Sequence, residues 1–530
     1  MPDYDAIIIG AGHNGLTAGT MLAKAGLKCI NFEKNDRVGG FASTWELFKG
    51  YKHNIGAWMW MVYGKRLEEE LELAKWGLDL VVPEVSGVGT GYPGEKPFIM
   101  YGDPTKLADH LINDHGPKAL EGLMNLFSFM STIAVGMEFG LYNPPISISR
   151  MMELMPSPEG KDVLRRCFYE SCKDILDEFF EPGIANNIKG TLGSVAVDGE
   201  WFGPYSPGSA WQLAYHMCMP GVSAMIKLPR GGMIMVSEAL RKSYESNGGQ
   251  VKLSTPVKKI LVENGKAVGV ELENGQKVSS KVVVSNLDTC STFTRLLNPD
   301  ELPQHFISMV KHIKYRNPFI QIFLCLKELP QYTGVNAVLN KLMPFQVQYA
   351  PSLEHIEQCW DACKYGQLHK EPFTLLGIHS LHDPGLAPPG RHTGLMFIQM
   401  FPPHLPENKY EKMKEEYADR AINVINELAP NFKDSIIDRK VWGPREYEKA
   451  MGATNGDFTH GAMELSQMLD FRPVPGYTDY RTPVKNLYLC GSGTHPSAGV
   501  TSVPGYNCSN MIKKDLKLTD EVKKGKGKSR

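Results

Sequence analysis

The chain of 530 residues contains ten cysteines, yet no two of them are separated by two residues. Cys359 and Cys363 come nearest, with three residues between them. A two-residue spacing is typical of redox-active disulfides and of zinc sites. Thiol–disulfide chemistry is therefore not expected, no metal ligands are assigned, and free thiols of a reducing cytosol are predicted.

Long apolar runs and an excess of charge are also missing. The net charge is −1 and no basic recognition motif is present, so nucleic acid is not expected as a partner. No stretch reaches the roughly 18 uninterrupted apolar residues of a transmembrane helix. Residues 124–142 come closest and predict a buried or channel-lining helix, although a helix that dips into a membrane surface stays open. We expect a cytoplasmic protein with a flexible basic tail at 516–530, and peripheral membrane contact stays open.

The N-terminal segment, in contrast, carries a strong pattern. Residues 5–9 are apolar and rich in isoleucine, which predicts a buried strand. Residues 16–25 predict a helix that ends at Gly26, and residues 29–32 predict a second strand. These segments form a βαβ pattern in which a glycine-rich turn joins the first strand to the helix.

Three glycines stand where such a unit needs them. Gly10 makes the tight turn, Gly12 lets the backbone approach a pyrophosphate, and Gly15 lets the helix pack on the strand. The start of the helix offers N–H groups and a positive dipole end to the phosphates. Glu33 follows Gly12 by about 20 residues, where a carboxylate accepts hydrogen bonds from ribose hydroxyls. The pattern predicts dinucleotide binding.

A second glycine pair indicates which dinucleotide binds. Gly39 and Gly40 follow Arg37, and they allow the chain to fold back over the diphosphate and ribityl region of a larger cofactor. Together the two motifs resemble the glutathione-reductase-type FAD fold, in the branch that includes amine oxidases and phytoene desaturases. FAD is the expected cofactor.

Later regions return to the same fold. Residues 228–233 lead into a helix, and residues 257–279 predict a β-meander with two Asn-Gly hairpin turns. Residues 281–286 and 486–491 predict two further buried strands, and residues 410–428 predict an amphipathic helix. The glycine cluster at 87–94 is interpreted as a loop, because a proline within it prevents a helix from starting there.

Residues 8–16, 229–233 and 487–496 together resemble phytoene-desaturase-like FAD oxidoreductases. Within them, the resemblance is closest to the branch called pyridine nucleotide-disulfide oxidoreductase domain-containing protein 2, which residues 471–475 also resemble. It is thin from about residue 101 to 210. Ser492 stands where the wider family often has Asp, so a carboxylate contact to the ribityl chain is not expected.

The motifs and this resemblance together imply FAD contacts at Gly10, Gly12, His13, Asn14, Gly15, Glu33, Lys34, Arg37, Gly39, Gly40, Arg230, Gly231, Gly232, Met233, Val257, Gly491, Ser492, Val500 and Thr501. The predicted fold class is α/β (α+β overall), a discontinuous FAD-binding Rossmann domain of the glutathione-reductase type with a substrate domain of mixed sheet and a helical insertion. The predicted parts are FAD-binding segments 1–66, 221–300 and 455–515, a helical substrate insertion 67–220 and a substrate domain 301–454.

The resemblance implies oxidation of an apolar, isoprenoid (carotenoid- or terpene-like) substrate at an allylic or activated C–H bond. The resulting cation would lose a proton or capture water. A flavin-dependent C=C isomerase or saturase, an amine-oxidase-like flavoenzyme and a non-enzymatic FAD-stabilised interaction protein remain open. No second dinucleotide motif is visible, so a quinone, oxygen or a carrier protein is expected to accept the electrons. Homo- and hetero-oligomers stay open.

Aromatic and acid–base residues supply the remaining candidates. The predicted pocket residues are Trp58, Trp60, Trp211 and Tyr215, with plain core packing as the alternative for each. The predicted catalytic residues are His495, His216 and Glu464, and His53, His460 and Asp457 are further candidates. For His495, a structural hydrogen bond that holds its loop is an equal alternative.

Overall fold

The computed structural model describes residues 1–60, 65–181, 183, 185–218 and 226–518. These residues fold around two sheets of seven strands each, accompanied by two small two-stranded sheets. The boundary predicted at 220/221 and residues 519–530 of the predicted basic tail lie outside the described residues.

The strands are β1 Tyr4–Ile9, β2 Cys29–Phe32, β3 Ala42–Phe48, β4 Tyr51–Gly56, β5 Leu80–Val81, β6 Val85–Thr90, β7 Phe98–Tyr101, β8 Leu228–Pro229, β9 Gln250–Lys252, β10 Val257–Glu263, β11 Lys266–Leu272, β12 Lys277–Ser285, β13 Phe319–Leu326, β14 Gln346–Tyr349, β15 Thr374–Ile378, β16 His392–Gln399, β17 Ile436–Trp442 and β18 Leu487–Leu489.

The α-helices are α1 His13–Lys24, α2 Lys65–Leu71, α3 Pro104–His110, α4 Pro117–Leu141, α5 Ile148–Leu154, α6 Pro158–Tyr169, α7 Cys172–Phe179, α8 Asn186–Ala196, α9 Ser209–Cys218, α10 Ile234–Ser246, α11 Thr289–Thr294, α12 Gln304–Lys311, α13 Leu339–Leu342, α14 Leu353–Lys364, α15 Glu407–Leu428, α16 Phe432–Ser435, α17 Pro444–Met451 and α18 Val503–Asp515.

The first sheet has the order β10-β11-β12-β1-β2-β9, with β18 also beside β12. Strand β1 runs parallel to both β2 and β12, so that Ile7 lies opposite Ile30 on one side and Val283 on the other. All three side chains are fully buried, as expected for a parallel sheet covered on both faces. The βαβ unit β1–α1–β2 is present where the glycine pattern predicts it.

The second sheet has the order β17-β13-β16-β15-β14-β6-β7. Most of its strand pairs are antiparallel, and β14 with β6 is parallel. Helix α15 covers one face of this sheet with a buried stripe that includes Tyr410, Tyr417 and Ile425. The stripe recurs at helical spacing, which explains why the sequence pattern predicts this helix closely.

The prediction of a loop at 87–94 is wrong for its first part, because Val85–Thr90 forms strand β6. Glycine serves a packing purpose there: a Cβ at Gly89 would lie 1.8 Å from Oγ1 of Thr191 on α8. Glycine in a strand often marks such a close approach. Strands β6 and β7 thus belong to the second sheet, although the sequence pattern predicts a helical insertion over 67–220.

The last helix packs tightly on the first. A Cβ at Gly505 of α18 would lie 2.1 Å from the carbonyl oxygen of Asn14 on α1. This contact joins the two ends of the chain and brings the segment before α18 to the start of α1. Close helix packing therefore positions the C-terminal motif beside the glycine-rich turn.

Helix α4 contains most of the predicted segment 124–142. Leu126, Met130 and Ile133 on one face are buried, whereas Met124 and Phe127 are exposed. Among the described residues, no helix has both the length and the hydropathy needed to cross a membrane.

Replacing Gly505 with valine is expected to destabilise the fold by about 2 kcal/mol or more, because the new side chain must push α18 away from α1. Thermal unfolding followed by circular dichroism measures the effect. Lys514→Ala, on the exposed side of α18, is the matched control and should unfold like the wild type. An unchanged midpoint for Gly505→Val would contradict this packing.

Candidate functional site

A cavity of about 290 Å³ lies where the ends of β1 and β2 meet the start of α1. The carboxyl edge of a parallel sheet is the usual place for a ligand in such folds. The wall also includes residues of β16 in the second sheet and of the segment that precedes α18. Regions far apart in sequence therefore share one cavity.

Four wall residues form what we call the glycine cradle: Gly10, Gly12, Gly39 and Gly40. The N–H of Gly39 donates to the carbonyl oxygen of Ala11 at 2.9 Å, which lays the second glycine turn directly on the first. Gly10 and Gly39 have φ of +95° and +116°, a region that favours glycine. A backbone without side chains is what a closely bound pyrophosphate requires.

Helix α1 begins at the cradle with no side-chain cap and no acidic residue in its first turn. Beside it, Nδ2 of Asn14 donates to Oγ of Ser492 at 3.3 Å, while Oδ1 of Asn14 is buried without a hydrogen-bond partner. Uncapped N–H groups are donors for phosphate oxygens. An orphaned acceptor next to them fits a ligand that carries hydroxyl groups as well as phosphates, as FAD does.

Glu33 lines the cavity. Its Oε2 accepts the N–H of Ala11 at 2.8 Å, and its Oε1 accepts the N–H of Asn35 at 2.9 Å. Burial raises the pKa of Glu33. Each carboxylate oxygen keeps a second lone pair, so Glu33 can hold the turn and still accept a hydrogen bond from a ribose hydroxyl. Lys34 and Val257 lie on the same wall.

A buried arginine ties the C-terminal segment to the loop after α17. Arg472 is 2% exposed, and its Nη2 donates to the carbonyl oxygens of Ser492 at 2.8 Å and Thr459 at 2.6 Å. Its Nη1 donates to the carbonyl oxygen of Gly461 at 3.1 Å. Burial lowers the pKa of Arg472, and the nearby charge of Asp457 opposes that change. The arginine thereby fixes two wall segments at once.

Mostly apolar side chains surround the part of the cavity near Phe397 of the second sheet. We call this part the aromatic chamber. It is formed by the apolar residues Trp58, Met59, Phe397 and Phe458 together with the carboxylate of Asp198. The rings of Trp58 and Phe397 are stacked with centroids 6.3 Å apart, and Phe397 meets Phe458 at 6.1 Å. Concave apolar walls with few polar groups are typical of sites for small molecules.

Asp198 is the carboxylate of this chamber. Asp198 is exposed and lines the cavity wall. Nε2 of Gln399 donates to its Oδ1 at 2.6 Å. Burial raises the pKa of Asp198 to about 6.

Two histidines also line the cavity. Burial, reinforced by the neighbouring ring of His460, lowers the pKa of His13 to about 4. Burial also lowers the pKa of His460, on which the charges of Asp288 and Arg472 act in opposite directions. Both rings are therefore neutral near pH 7. Nδ1 of His460 is buried without a hydrogen-bond partner.

Several predicted FAD contacts lie away from the cavity wall. The guanidinium of Arg37 pairs with Asp36 at 2.7 Å and lies 5.1 Å from the ring centroid of Trp45. Gly15 and Gly491 pack behind the cradle, and Oγ1 of Thr501 accepts the N–H of Val503 at the start of α18. These residues shape the site through the backbone instead of facing it.

The segment from Arg230 to Met233 is also placed elsewhere. Nε of Arg230 donates to Asp79 at 2.7 Å in an exposed ion pair, and the N–H of Gly231 donates to Asp383 at 2.5 Å. Gly232 packs against Thr44, whose Oγ1 would lie 2.4 Å from a Cβ added at that position. The N–H of Met233 donates to Asn54. This segment joins the β3–β4 hairpin to α10.

His495, Trp211 and Tyr215 line a second, small cavity of about 30 Å³ beside α4. Nε2 of His495 bonds to the carbonyl oxygen of Gly140 at 2.8 Å, and Tyr215 donates to the carbonyl oxygen of Pro496 at 3.2 Å. Burial lowers the pKa of His495 to about 4. The hydrogen bond of His495 holds its loop, so the residue has the structural role that was the alternative to proton transfer.

The other predicted catalytic and pocket residues are engaged outside the cavity. Nδ1 of His216 bonds to the carbonyl oxygen of Gln212 within α9. Glu464 accepts from Arg316 at 2.5 Å and from Lys314 at 2.8 Å. Nε1 of Trp60 donates to the carbonyl oxygen of Val500 at 3.0 Å. Such occupied side chains are poorly placed for proton transfer in the chamber.

Sequence reasoning missed Asn286 and Asp198. A Cβ at Gly12 would lie 2.9 Å from Nδ2 of Asn286, which therefore packs against the cradle. The predicted strand 281–286 carried a usable signal, because the end of a strand parallel to β1 must reach the same sheet edge. No sequence signal distinguished Asp198 from other surface acids.

One group of three metal-ligating side chains is present among the described residues: His355, Cys359 and His369, whose ligand atoms lie within 4.8 Å of one another. Nε2 of His355 and Nδ1 of His369 both bond to the carbonyl oxygen of Glu371, at 2.9 and 2.7 Å. The thiol of Cys359 also points to that oxygen. A main-chain acceptor thus already engages these groups, which lie apart from the cavity.

Gly12→Val is expected to weaken FAD binding by about 100-fold, because its side chain would displace Asn286 and fill the cradle. The measurement is the FAD content of purified protein, read from visible absorbance. Gly140→Ala is the control, since a Cβ there meets nothing within 4 Å. A yellow Gly12→Val protein with full FAD content would refute the cradle.

Comparison with known proteins agrees with this geometry. The chain is 29% identical to pyridine nucleotide-disulfide oxidoreductase domain-containing protein 2 of Rattus norvegicus, over 97% of this chain and 94% of that protein. It is 26% identical to one of the subunits of limonene dehydrogenase from Castellaniella defragrans, over 97% and 95% of the two chains. The structure of putrescine oxidase bound to putrescine superposes with a TM-score of 0.62 at 17% identity, covering 97% and 98%. The sequence pattern of the family "Flavin containing amine oxidoreductase" matches residues 15–505, so the chain belongs to that family of FAD-binding oxidoreductases.

Proposed function

We propose that this protein is an FAD-dependent dehydrogenase or desaturase that oxidises an allylic or activated C–H bond of an apolar, isoprenoid substrate. The aromatic chamber is the observation that carries the proposal. Its walls of Trp58, Met59, Phe397 and Phe458 offer a hydrocarbon skeleton van der Waals contact and shelter from water. The similarity to limonene dehydrogenase supports a terpene-like substrate.

Different residues of the chain bind the cofactor and orient the substrate. The glycine cradle, the start of α1 and Glu33 bind the cofactor, which when bound supplies a two-electron acceptor. The stacked rings of Trp58 and Phe397 orient the substrate. Their electron-rich faces favour a carbon that becomes positively charged as a hydride leaves. Exclusion of water favours proton loss over capture of water.

The electron acceptor follows from the same reasoning. The sequence contains a single dinucleotide motif, which is assigned to FAD. A nicotinamide dinucleotide therefore has no glycine-rich turn of its own to bind. A quinone, oxygen or a carrier protein is therefore the proposed acceptor.

Amine oxidation is the second candidate, and Asp198 is the observation that favours it. A carboxylate next to aromatic rings is a suitable partner for an ammonium group. The fold similarity to putrescine oxidase is compatible with this chemistry. Comparing flavin reduction by a hydrocarbon with flavin reduction by an amine of similar size distinguishes the two candidate functions.

Anaerobic mixing with cyclic monoterpenes, carotenoids and alicyclic amines tests the proposal. Bleaching of the flavin by an isoprenoid, without bleaching by amines, is the expected result. Bleaching by amines alone would favour the second candidate, and a requirement for pre-reduced flavin would indicate an isomerase or saturase. No response to any compound would contradict an oxidative role.

Trp58→Ala should raise the half-saturating isoprenoid concentration about 10-fold, because one wall of the chamber is removed. The rate of bleaching against substrate concentration gives this value. Tyr365→Ala is the control, since Tyr365 is 77% exposed and lies elsewhere. An unchanged concentration dependence for Trp58→Ala would place substrate outside the chamber.

A further inference from the structure

We propose that Asp198 is the catalytic base of the aromatic chamber and takes the proton that the substrate loses. The inference rests on the proposed function. In that reaction one carbon would lose a hydride, and bound FAD would be the acceptor of its two electrons. The neighbouring carbon gives a proton to the carboxylate of Asp198, and the electron pair of that C–H bond becomes the new C=C bond. The proton later passes to solvent.

The position of Asp198 is set by two elements. It lies just after α8 (Asn186–Ala196), and its side chain forms part of the cavity wall. A Cβ at the next residue, Gly199, would lie 2.7 Å from the ring of Phe458. The turn that carries the carboxylate therefore rests directly on a wall of the chamber.

Gln399 fixes the orientation of the carboxylate. Its Nε2 donates to Oδ1 of Asp198 at 2.6 Å, and its Oε1 accepts the N–H of Gly199 at 2.9 Å. Gln399 is 1% exposed, and Tyr417 donates to its carbonyl oxygen at 3.1 Å. Within the part of the chain that the structure describes, no hydrogen bond engages Oδ2 of Asp198. One oxygen is held and the other is available to a substrate proton.

Strand β16 connects Gln399 to the aromatic rings of the chamber. Phe397 and Gln399 are two positions apart on β16, so their side chains project from the same face of the strand. Phe397 lines the chamber and stacks on Trp58. A substrate that contacts these rings from within the chamber lies beside Asp198.

Among the residues that the structure describes, no cationic side chain forms an ion pair with this carboxylate. Burial raises the pKa of Asp198 to about 6, and the hydrogen bond from Gln399 opposes that change. The titratable groups on the neighbouring elements include Glu200, Tyr417, Asp457 and His460; burial raises the pKa values of the first three and lowers that of His460. Tyr417 and His460 are therefore uncharged near neutral pH. A carboxylate with a pKa near 6 suits general base catalysis.

Other groups fit this role less well. Glu464 pairs with Arg316 and Lys314, and Nε2 of His495 is engaged by a carbonyl oxygen. His460 lines the cavity with an unpartnered Nδ1 and is the competing base. Separate variants of the two residues decide between them.

The test is anaerobic stopped-flow reduction by the isoprenoid that bleaches the wild type. Asp198→Asn keeps an oxygen for Gln399 but cannot accept the proton, so the bleaching rate should fall about 100-fold. FAD content and the visible spectrum should stay unchanged. The wild-type rate should rise with pH to a plateau with a midpoint near 6, and Asp198→Asn should lose that dependence.

Glu357→Gln is the matched control, because burial also raises the pKa of Glu357, whose carboxylate accepts the N–H of Tyr205 outside the cavity. Its bleaching rate and pH profile should be those of the wild type. A bleaching rate that survives in Asp198→Asn but collapses in His460→Ala would assign the base to His460 and overturn the inference. Loss of amine binding alone in Asp198→Asn would make Asp198 an amine anchor and overturn it too.

A measurement that needs no turnover separates this inference from the proposed function. Infrared difference spectra of the holoprotein below and above pH 6 should contain a carboxylic acid band that Asp198→Asn removes. If no isoprenoid bleaches the flavin but this band is present, the proposed function is wrong, while the assignment of Asp198 as a titrating carboxyl group of the chamber is confirmed. If bleaching occurs and the band is absent, the inference fails and the proposed function stands.

Discussion

The structure depends on the close approach of main chains around the start of α1. Gly39 lies on the turn that contains Gly12, and the backbone of α18 at Gly505 nearly touches the carbonyl of Asn14. No side chain larger than hydrogen fits at these contacts without movement. Because the contacts join residues near both ends of the chain, they fix the cavity edge at which the first parallel sheet ends.

Buried polar groups extend that constraint to the rest of the cavity. Arg472 connects the Ser492 turn to the loop around His460 through main-chain carbonyls. Gln399 performs a similar task in the second sheet, where it holds Asp198 against the chamber. Polar side chains buried with satisfied hydrogen bonds are rigid, and rigid walls are needed where a substrate must meet a cofactor in one orientation. The two sheets thus contribute different functions to one cavity.

Sequence reasoning identified the parts whose signal is local. The β1–α1–β2 unit, the glycines of the cradle and Glu33 follow from short-range pattern and spacing, and the structure places them as that pattern requires. The motifs did not reveal where a side chain points. Arg37 turns to its neighbour Asp36, and Arg230 turns to Asp79. Asp198 lies in a region without motifs, and its importance arises from burial and from Gln399, which is 201 residues away in the sequence.

Segments far apart in the sequence line one cavity, and we infer that together they hold a single FAD from its diphosphate to its reactive ring. Titration of the apoprotein with FAD and with FMN, followed by quenching of flavin fluorescence, tests this binding mode. We expect saturation at one FAD per chain and much weaker binding of FMN, which lacks the adenosine half that Glu33 and the cradle would hold. Equal affinity for the two flavins, or no binding of FAD, would contradict it.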